Sequence, residues 1–151
     1  MKKDIIIVCI TALLVALFLY ASFSKYFDYA YFQRSMYNQI FPHWMATCLI
    51  YTIPPVEIII AIGLMQERTR LIALYAFFIL MALFSIYIAA GLLHVFSKVP
   101  CSCGGIIKSF DYGEHLIFNI FFVALSGTAI WLKKSKHWKR KTVNHLHFNN
   151  M

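Results

Sequence analysis

Charged residues are scarce in this chain of 151 residues, and the scarcity excludes an ordinary soluble domain. Only 13% of the residues are Asp, Glu, Lys or Arg, whereas 61% are hydrophobic; soluble domains carry about twice that share of charge. Glycine and proline are also few, at 6 and 4 residues, and no linker, repeat or low-complexity segment divides the sequence. We therefore expect residues 1–151 to form a single membrane domain.

Several catalytic motifs are absent as well. The sequence contains no phosphate-binding glycine loop, no HExxH and no GxSxG, so nothing in it supports nucleotide hydrolysis, zinc proteolysis or serine-hydrolase chemistry. Zinc ligands that occur in pairs usually have at least two residues between them. Cys101 and Cys103 have one, and we predict no metal site.

Long apolar runs are what the sequence does contain. They cover residues 5–23, 44–65, 71–96 and 116–132, and about 20 apolar residues in a helix cross a bilayer. Because the connections are short, the predicted fold is an all-α, four-transmembrane-helix up-down bundle. The first run has the basic start of a signal peptide, but no small-x-small cleavage site follows it, and we expect it to stay as the first helix.

The basic residues indicate an orientation for this bundle. The net charge of the chain is +8, and a nucleic-acid-binding protein would have a net charge of the same sign. The basic residues cluster beside the apolar runs, however, which favours a membrane protein without a nucleic-acid partner. Basic loops mark the cytoplasmic side, so both termini are expected inside and residues 24–43 and 97–115 outside. The tail of residues 133–151 is expected to bind anionic lipid. The residues on the predicted inner side are Lys2, Lys3, Arg68, Arg70, Lys133, Lys134, Lys136, Lys139, Arg140 and Lys141.

The first outer loop is rich in aromatic residues. Within it Phe32, Met36 and Ile40 repeat at helical spacing, a pattern that an amphipathic helix lying in the membrane interface would use. A plain belt of aromatic side chains at headgroup level explains the same composition. Both interpretations stay open.

The second outer loop carries two cysteines, Cys101 and Cys103, in PCSCGGI. Cysteines that face an oxidising compartment are expected to form disulfides, but a single intervening residue makes a tight ring with strained geometry. Strained, exposed disulfides are easily reduced, which is typical of exchange-active pairs. The two following glycines let the backbone turn sharply. An inert disulfide, or two free cysteines in a tight turn, accounts for the same residues.

Further side chains with useful chemistry are expected in the same outer layer. Cys48 lies near the outer end of the second run and His94 near the outer end of the third. His115 directly precedes the fourth run, at the start of the predicted fourth helix, and Asn119 lies one turn later on the same helix face. His115 is predicted to lower the pKa of the cysteine pair, and Cys48 to act as a third thiol. Cys9, near the inner end of the first run, is too distant to take part.

Glu57 is the one residue inside the four runs that is normally charged at neutral pH, and an ionisable group at that depth is costly. Pro54 and Pro55 precede it and are expected to kink or restart the helix, which would leave a local N-terminal end favourable to an acid. A protonated glutamic acid that ties helices together and a group that handles protons or contacts a quinone are the two interpretations. Its expected hydrogen-bond partners are Thr11, Ser126 and Thr128.

Three blocks of the sequence are similar to a known family: ASFSKYFDYAYF, PPVEIIIAIGL, and PCSCGGI followed by EHLIFNIFF. Over most of its length the chain resembles the MauE/DoxX group of bacterial inner-membrane proteins, in particular its redox-associated members. The resemblance implies a multi-pass protein of the bacterial inner membrane linked to thiol–disulfide chemistry. The methylamine utilisation branch is associated with maturing a disulfide-rich periplasmic dehydrogenase subunit, and the DoxX branch with a quinone-linked oxidase complex.

Carried onto this chain, the resemblance makes Cys101 and Cys103 the redox pair, in a periplasmic loop. It implies a quinone as candidate cofactor, and a periplasmic protein or a membrane complex as partner. One departure is that four-helix disulfide generators that use a quinone usually carry C-x-x-C, whereas this chain has C-x-C. The other family positions are Glu114, His115 and Asn119 beside the pair, and Ser24, Lys25 and Glu57 of unassigned role.

Three functional hypotheses follow. The first is a thiol–disulfide oxidoreductase, or a protein that supports such exchange, acting on a periplasmic partner through Cys101 and Cys103. The second is a non-catalytic scaffold or assembly subunit of an envelope complex, whose cysteines are bridged or irrelevant. The third is a proton- or ion-coupled transporter built around Glu57, and the lack of an internal repeat makes it the weakest.

Overall fold

The computed structural model describes the backbone of residues 2–93 and 112–148, and the side chains of residues 4–93 and 113–135. These ranges contain five helices and no strand. The helices are α1 (Lys2–Phe27), α2 (Tyr29–Tyr37), α3 (His43–Met65), α4 (Arg70–Leu92) and α5 (Tyr112–Phe148).

Four of the helices are long and apolar enough to cross a membrane, which confirms the predicted all-helical fold with four spans. The candidate spans are Asp4–Phe27, His43–Met65, Arg70–Leu92 and Gly113–Ser135. About 20 residues are needed to cross a bilayer, and each span has 23 or 24. Their apolar side chains point outward as well as inward, as expected where lipid replaces water around the bundle.

Neighbouring spans pack into a closed ring. The most extensive contacts join α4 to α5 and α1 to α3, and further contacts join α3 to α4 and α1 to α5. Leu14, Leu64 and Leu74 are fully buried at the centre. The rings of Phe18 and Phe77 stack there with their centroids 4.2 Å apart. Because lipid tails are as apolar as these side chains, close packing rather than water exclusion holds the helices together.

The helix ends differ from the apolar runs. The first helix continues past residue 23 to Phe27, and the third span ends at Leu92 rather than at residue 96. The last helix begins at Tyr112 and runs through the basic segment to Phe148. A lysine-rich segment extends a helix readily, because Lys and Arg are good helix formers.

The short helix α2 confirms that an amphipathic helix lies between the first two spans, and its place in the membrane interface stays a prediction. Phe32 and Met36 are buried and pack against Ile50 of α3. The prediction was wrong for Ile40, which lies beyond the end of α2 and is 40% exposed. The helix ends because the chain turns at residues 38–41 to enter α3.

The expectation that the two prolines restart the helix was wrong. Pro54 and Pro55 lie inside α3, which is continuous from His43 to Met65. Each proline removes a helical N–H donor, but α3 is held by α1 on one side and α4 on the other. The Ser22 hydroxyl of α1 also donates a hydrogen bond to the carbonyl oxygen of Pro54 at 3.0 Å.

The turn between α3 and α4 is capped by side chains. The Thr69 hydroxyl donates to the carbonyl oxygen of Gly63 at 2.9 Å, and Arg70 Nε donates to that of Leu64 at 3.0 Å. These bonds satisfy carbonyl groups that the last turn of a helix leaves without a partner. The ammonium of Lys133 on α5 also donates to the carbonyl oxygen of Glu67 at 3.2 Å, so α5 is fastened to the same turn.

Gly63 lies at a close contact between α3 and α4, and its replacement tests the packing of these helices. A Cβ atom at this position would lie 3.1 Å from the Cβ atom of Ala73. We expect Gly63→Leu to lower the free energy of unfolding by about 1–3 kcal/mol, because the extra side chain forces packed helices apart. Titration with denaturing detergent measures this loss.

The matched control is Gly113→Leu, because a Cβ atom at Gly113 would meet no heavy atom of the described residues within 4 Å. Both substitutions replace a helical glycine with a better helix former, so a loss of stability at Gly63 alone reports the packing effect. Equal stabilities for the two variants would contradict the tight contact between α3 and α4.

Candidate functional site

A cavity of about 290 Å³ lies inside the bundle. It occupies the end of the bundle at which α1 ends, α3 and α5 begin, and α2 packs; we call this the α2 end. All five helices contribute to its wall, which is mainly apolar. The apolar lining residues are Leu17, Phe18, Ala21, Phe32, Met36, Phe41, Leu49, Ile53, Leu80, Met81, Leu83, Phe84, Ile88 and Phe118, and the polar ones are Lys25, Gln39, Glu57, Tyr87, His115 and Asn119.

A buried ion pair forms one side of this cavity. The Lys25 ammonium lies 2.7 and 3.0 Å from the two carboxylate oxygens of Glu57. Lys25 is 5% exposed and Glu57 2% exposed. Side chains of a helix tilt toward its N-terminus. Since α1 and α3 run in opposite directions, the side chain of Lys25 tilts toward the middle of the bundle and the side chain of Glu57 tilts toward the α2 end. The two side chains therefore approach each other.

This pair corrects the partners predicted for Glu57. Thr11, Ser126 and Thr128 each donate a hydrogen bond to a carbonyl oxygen of their own helix, at 2.6, 2.9 and 2.7 Å. Hydroxyl groups in apolar helices commonly satisfy themselves in this way. Glu57 is instead bound by Lys25, which also donates to the carbonyl oxygen of Ala21 at 3.3 Å.

His115 lies in the first turn of α5 and lines the cavity. It is only 3% exposed. Within the part of the chain that the structure describes, neither ring nitrogen has a hydrogen-bond partner. Asn119, one turn later, is 4% exposed and lines the same cavity. A buried polar ring without a partner is rare enough to require an explanation.

A hydrogen bond joins the turn between α2 and α3 to α4 in the cavity wall. The Tyr87 hydroxyl donates to the side-chain oxygen of Gln39. The ring of Tyr87 also stacks on Phe41, with 5.4 Å between centroids. Gln39 and Tyr87 were not predicted as site residues. Nothing in the sequence around Gln39 distinguishes it from other polar loop residues, and nothing around Tyr87 distinguishes it from other aromatic residues of an apolar helix.

Of the other predicted site residues, the structure describes Cys48 and Glu114, and neither lines the cavity. Cys48 is exposed on the outside of α3, and Glu114 is exposed beside His115. Cys9 is exposed near the start of α1. The remaining three, Cys101, Cys103 and His94, lie outside the described residues. Among the residues that are described, no cluster of His, Cys, Asp or Glu is suited to a metal ion.

Lys25 was named only as a family position of unassigned role, although the sequence holds a signal for its pairing. It follows the first apolar run by two residues, and Glu57 is the lone acid inside the second run. Two opposite charges in adjacent membrane helices are expected to pair, because each alone is costly in lipid. The signal was missed because the run was ended at residue 23.

The fold and the cavity define a multi-pass membrane protein: a four-span helical bundle with a mainly apolar internal site. This site contains an ion pair and a histidine without a hydrogen-bond partner among the described residues. The chain belongs to the family of the methylamine utilisation protein MauE, whose family model matches residues 3–132. This confirms the family resemblance seen in the sequence and associates the chain with methylamine utilisation and redox-related processes. Comparisons with curated proteins and with solved structures gave no match.

Proposed function

We propose that this protein carries out or supports thiol–disulfide exchange with a partner protein at the outer face of the bacterial inner membrane, through Cys101 and Cys103. The observation that carries the proposal is the position of their segment in the chain. It joins the last helical residue of α4, Leu92, to the first of α5, Tyr112, and both of these belong to the α2 end. His115, three residues into α5, lies in the wall of the cavity there.

The proposed exchange takes place between two cysteine thiolates of the partner and the disulfide of Cys101 and Cys103. A thiolate of the partner attacks one sulfur of the Cys101–Cys103 disulfide, the bond between the two cysteines breaks, and a mixed disulfide forms. The partner's second thiolate then attacks the mixed disulfide. The partner leaves with a disulfide, and Cys101 and Cys103 keep the two electrons as thiols. The reverse sequence reduces the partner.

The charge distribution supports an outward-facing α2 end. Arg70 and Lys133 lie at the opposite end of the bundle, around the turn between α3 and α4. The buried charges near the α2 end, Lys25 and Glu57, neutralise each other. Because basic residues in excess stay on the cytoplasmic side, this asymmetry favours a periplasmic position for residues 94–111.

The redox potential of the pair tests the proposal. We expect Cys101 and Cys103 to titrate reversibly between about −120 and −270 mV, the range of exchange-active dithiols. Thiol trapping followed by mass spectrometry, after equilibration of the full chain in glutathione or dithiothreitol buffers, measures the oxidised fraction. Because Cys9 and Cys48 are also free thiols, the mass spectrum assigns each label to its own cysteine.

A pair that stays oxidised below about −300 mV would be a structural disulfide. That result would contradict exchange and favour the assembly subunit instead. A stable partner should then co-purify with the protein in mild detergent, and replacement of the cysteines should weaken that association.

A further inference from the structure

The ring of His115 is a buried polar group that its surroundings leave unsatisfied. Neither ring nitrogen has a hydrogen-bond partner among the described residues, and a polar group left in that state costs free energy. Leucine would fill the same position without that cost. The ring lines the cavity at the α2 end, so a molecule bound in the cavity is able to supply the missing hydrogen bonds.

The polar head of such a molecule has to be uncharged. The Lys25 ammonium has three N–H donors, and the structure gives it three acceptors. They are the two carboxylate oxygens of Glu57, at 2.7 and 3.0 Å, and the carbonyl oxygen of Ala21, at 3.3 Å. Lys25 and Glu57 therefore satisfy each other, and a charged head would enter a mainly apolar cavity without a counter-ion, which is unfavourable.

The head also has to donate hydrogen bonds as well as accept them. A neutral imidazole has one donor nitrogen and one acceptor nitrogen. A ketone or ester oxygen only accepts, so it would leave the acceptor nitrogen of His115 unsatisfied. A hydroxyl group both donates and accepts, so a head with two hydroxyls has a partner for each nitrogen. The Asn119 amide, one turn later in the same cavity wall, also donates and accepts.

The cavity has room for a small head and a route for an apolar chain. Its volume of about 290 Å³ is at the small end of ligand pockets, which favours a head and the first part of one chain over a whole phospholipid. Leu83 lines the cavity and is also 59% exposed on the surface of α4, so the cavity reaches the lipid-facing side of the bundle. A single chain that leaves there continues among the acyl chains of the bilayer.

We infer that this cavity binds a monoacylglycerol, a neutral lipid with one acyl chain and two hydroxyl groups, and that His115 forms hydrogen bonds with its glycerol head. The hydroxyls pair with the His115 ring and the Asn119 amide, and the acyl chain lies against the apolar part of the wall. The inference does not rest on the proposed thiol exchange, because binding needs neither Cys101 nor Cys103.

Binding of 1-decanoylglycerol to the purified full chain tests the inference. We expect it to raise the thermal unfolding midpoint in an amine-oxide detergent, which has no hydroxyl group, because a ligand that binds only the folded state stabilises it. Methyl decanoate has the same acyl chain and an ester without hydroxyls, and decanoate has the same chain with a charged head. Both should bind at least about tenfold more weakly, through the loss of hydrogen bonds or the burial of a charge.

A variant that fills the cavity shows where the ligand binds. Ala21→Phe should abolish the shift in midpoint, because Ala21 lines the cavity and the larger side chain occupies it. The matched control is Ala16→Phe on the same helix, where the side chain is exposed. Its shift should equal that of the wild type.

A second variant keeps the test decisive if Ala21→Phe fails to fold. We expect His115→Leu to fold at least as stably as the wild type without ligand, and to bind 1-decanoylglycerol about tenfold more weakly, through loss of a buried hydrogen bond. Its preference for 1-decanoylglycerol over methyl decanoate should fall by a similar factor. The Cys101→Ser/Cys103→Ser variant should bind like the wild type, so lipid binding and thiol exchange can each fail while the other holds.

Three outcomes would overturn the inference. The first is no stabilisation of the wild type by 1-decanoylglycerol. The second is equal affinity for decanoate, methyl decanoate or decylubiquinone, none of which offers a hydroxyl on a neutral head. The third is wild-type affinity for 1-decanoylglycerol in His115→Leu, which would remove the histidine from the site.

Discussion

Replacement of Glu57 by glutamine is expected to lower the free energy of unfolding by about 3–5 kcal/mol, the usual cost of breaking a buried ion pair. The Lys25 ammonium lies 2.7 Å from the carboxylate and is 5% exposed. Without its counter-ion it remains a charge inside an apolar bundle, which neither lipid nor the cavity wall compensates. Unfolding in a denaturing detergent series, followed by circular dichroism, measures the loss.

The interaction is isolated by a double-mutant cycle. The single variants of the cycle are Lys25→Met and Glu57→Leu, and we expect each to destabilise about as strongly as Glu57→Gln, because each leaves the other charge of the pair without its partner. Lys25→Met/Glu57→Leu should recover much of the loss, since an apolar pair of similar volume replaces two charges without an unpaired one. Recovery in the double variant therefore distinguishes electrostatic coupling from a packing defect.

The matched control is Glu67→Gln, at the other end of the bundle. Glu67 is exposed and lies 3.5 Å from Arg70, and exposed ion pairs contribute about 0–1 kcal/mol. If Glu57→Gln proved as mild as Glu67→Gln, the carboxylate would not be held by Lys25 as the structure describes. If the pair is structural, Glu57→Gln lowers the stability of the protein. If the protein is a transporter built on Glu57, the same variant loses transport activity while it is still folded.

The four spans could be predicted because a helix needs about 20 apolar residues to cross a bilayer, and such a run is visible in the sequence. The residues at which the helices end were harder to predict. The first run was ended before Lys25 because a lysine in lipid is costly, but Glu57 removes that cost by pairing with it. Whether a charge is tolerated inside a membrane depends on which face of one helix meets which face of another.

The cavity illustrates the part of the site that sequence does not reveal. His115 and Asn119 share a helix face by their spacing, and the structure buries both in the cavity wall. The cavity itself exists because α2 packs against Ile50 of α3 and Gln39 contacts Tyr87 of α4. An empty volume of this kind results from packing between distant segments, and no local pattern of residues indicates it. The roles of Cys48, Glu114 and the cysteine pair stay predictions.

Replacement of Cys101 or Cys103 by serine is expected to abolish disulfide transfer. The assay mixes the pre-oxidised protein with reduced, unfolded ribonuclease A in equal amounts and counts the ribonuclease thiols that disappear. The wild type should transfer its disulfide and end as a dithiol, because the ribonuclease gives up two electrons as its own disulfide forms. Each single serine variant lacks one of the two sulfur atoms, so the pair forms no disulfide and the ribonuclease thiols should not decrease.

Two controls separate chemistry from folding. Cys9→Ser removes an exposed thiol near the start of α1, far from the α2 end, and should transfer like the wild type. The serine variants at Cys101 and Cys103 should keep the thermal unfolding midpoint, because the ion pair and the core that hold the bundle together are unchanged. Undiminished transfer by Cys101→Ser/Cys103→Ser would rule out this pair as the site of exchange. If the folded wild type with an oxidised pair does not oxidise the ribonuclease thiols, the disulfide is structural. That result would favour the non-catalytic assembly subunit.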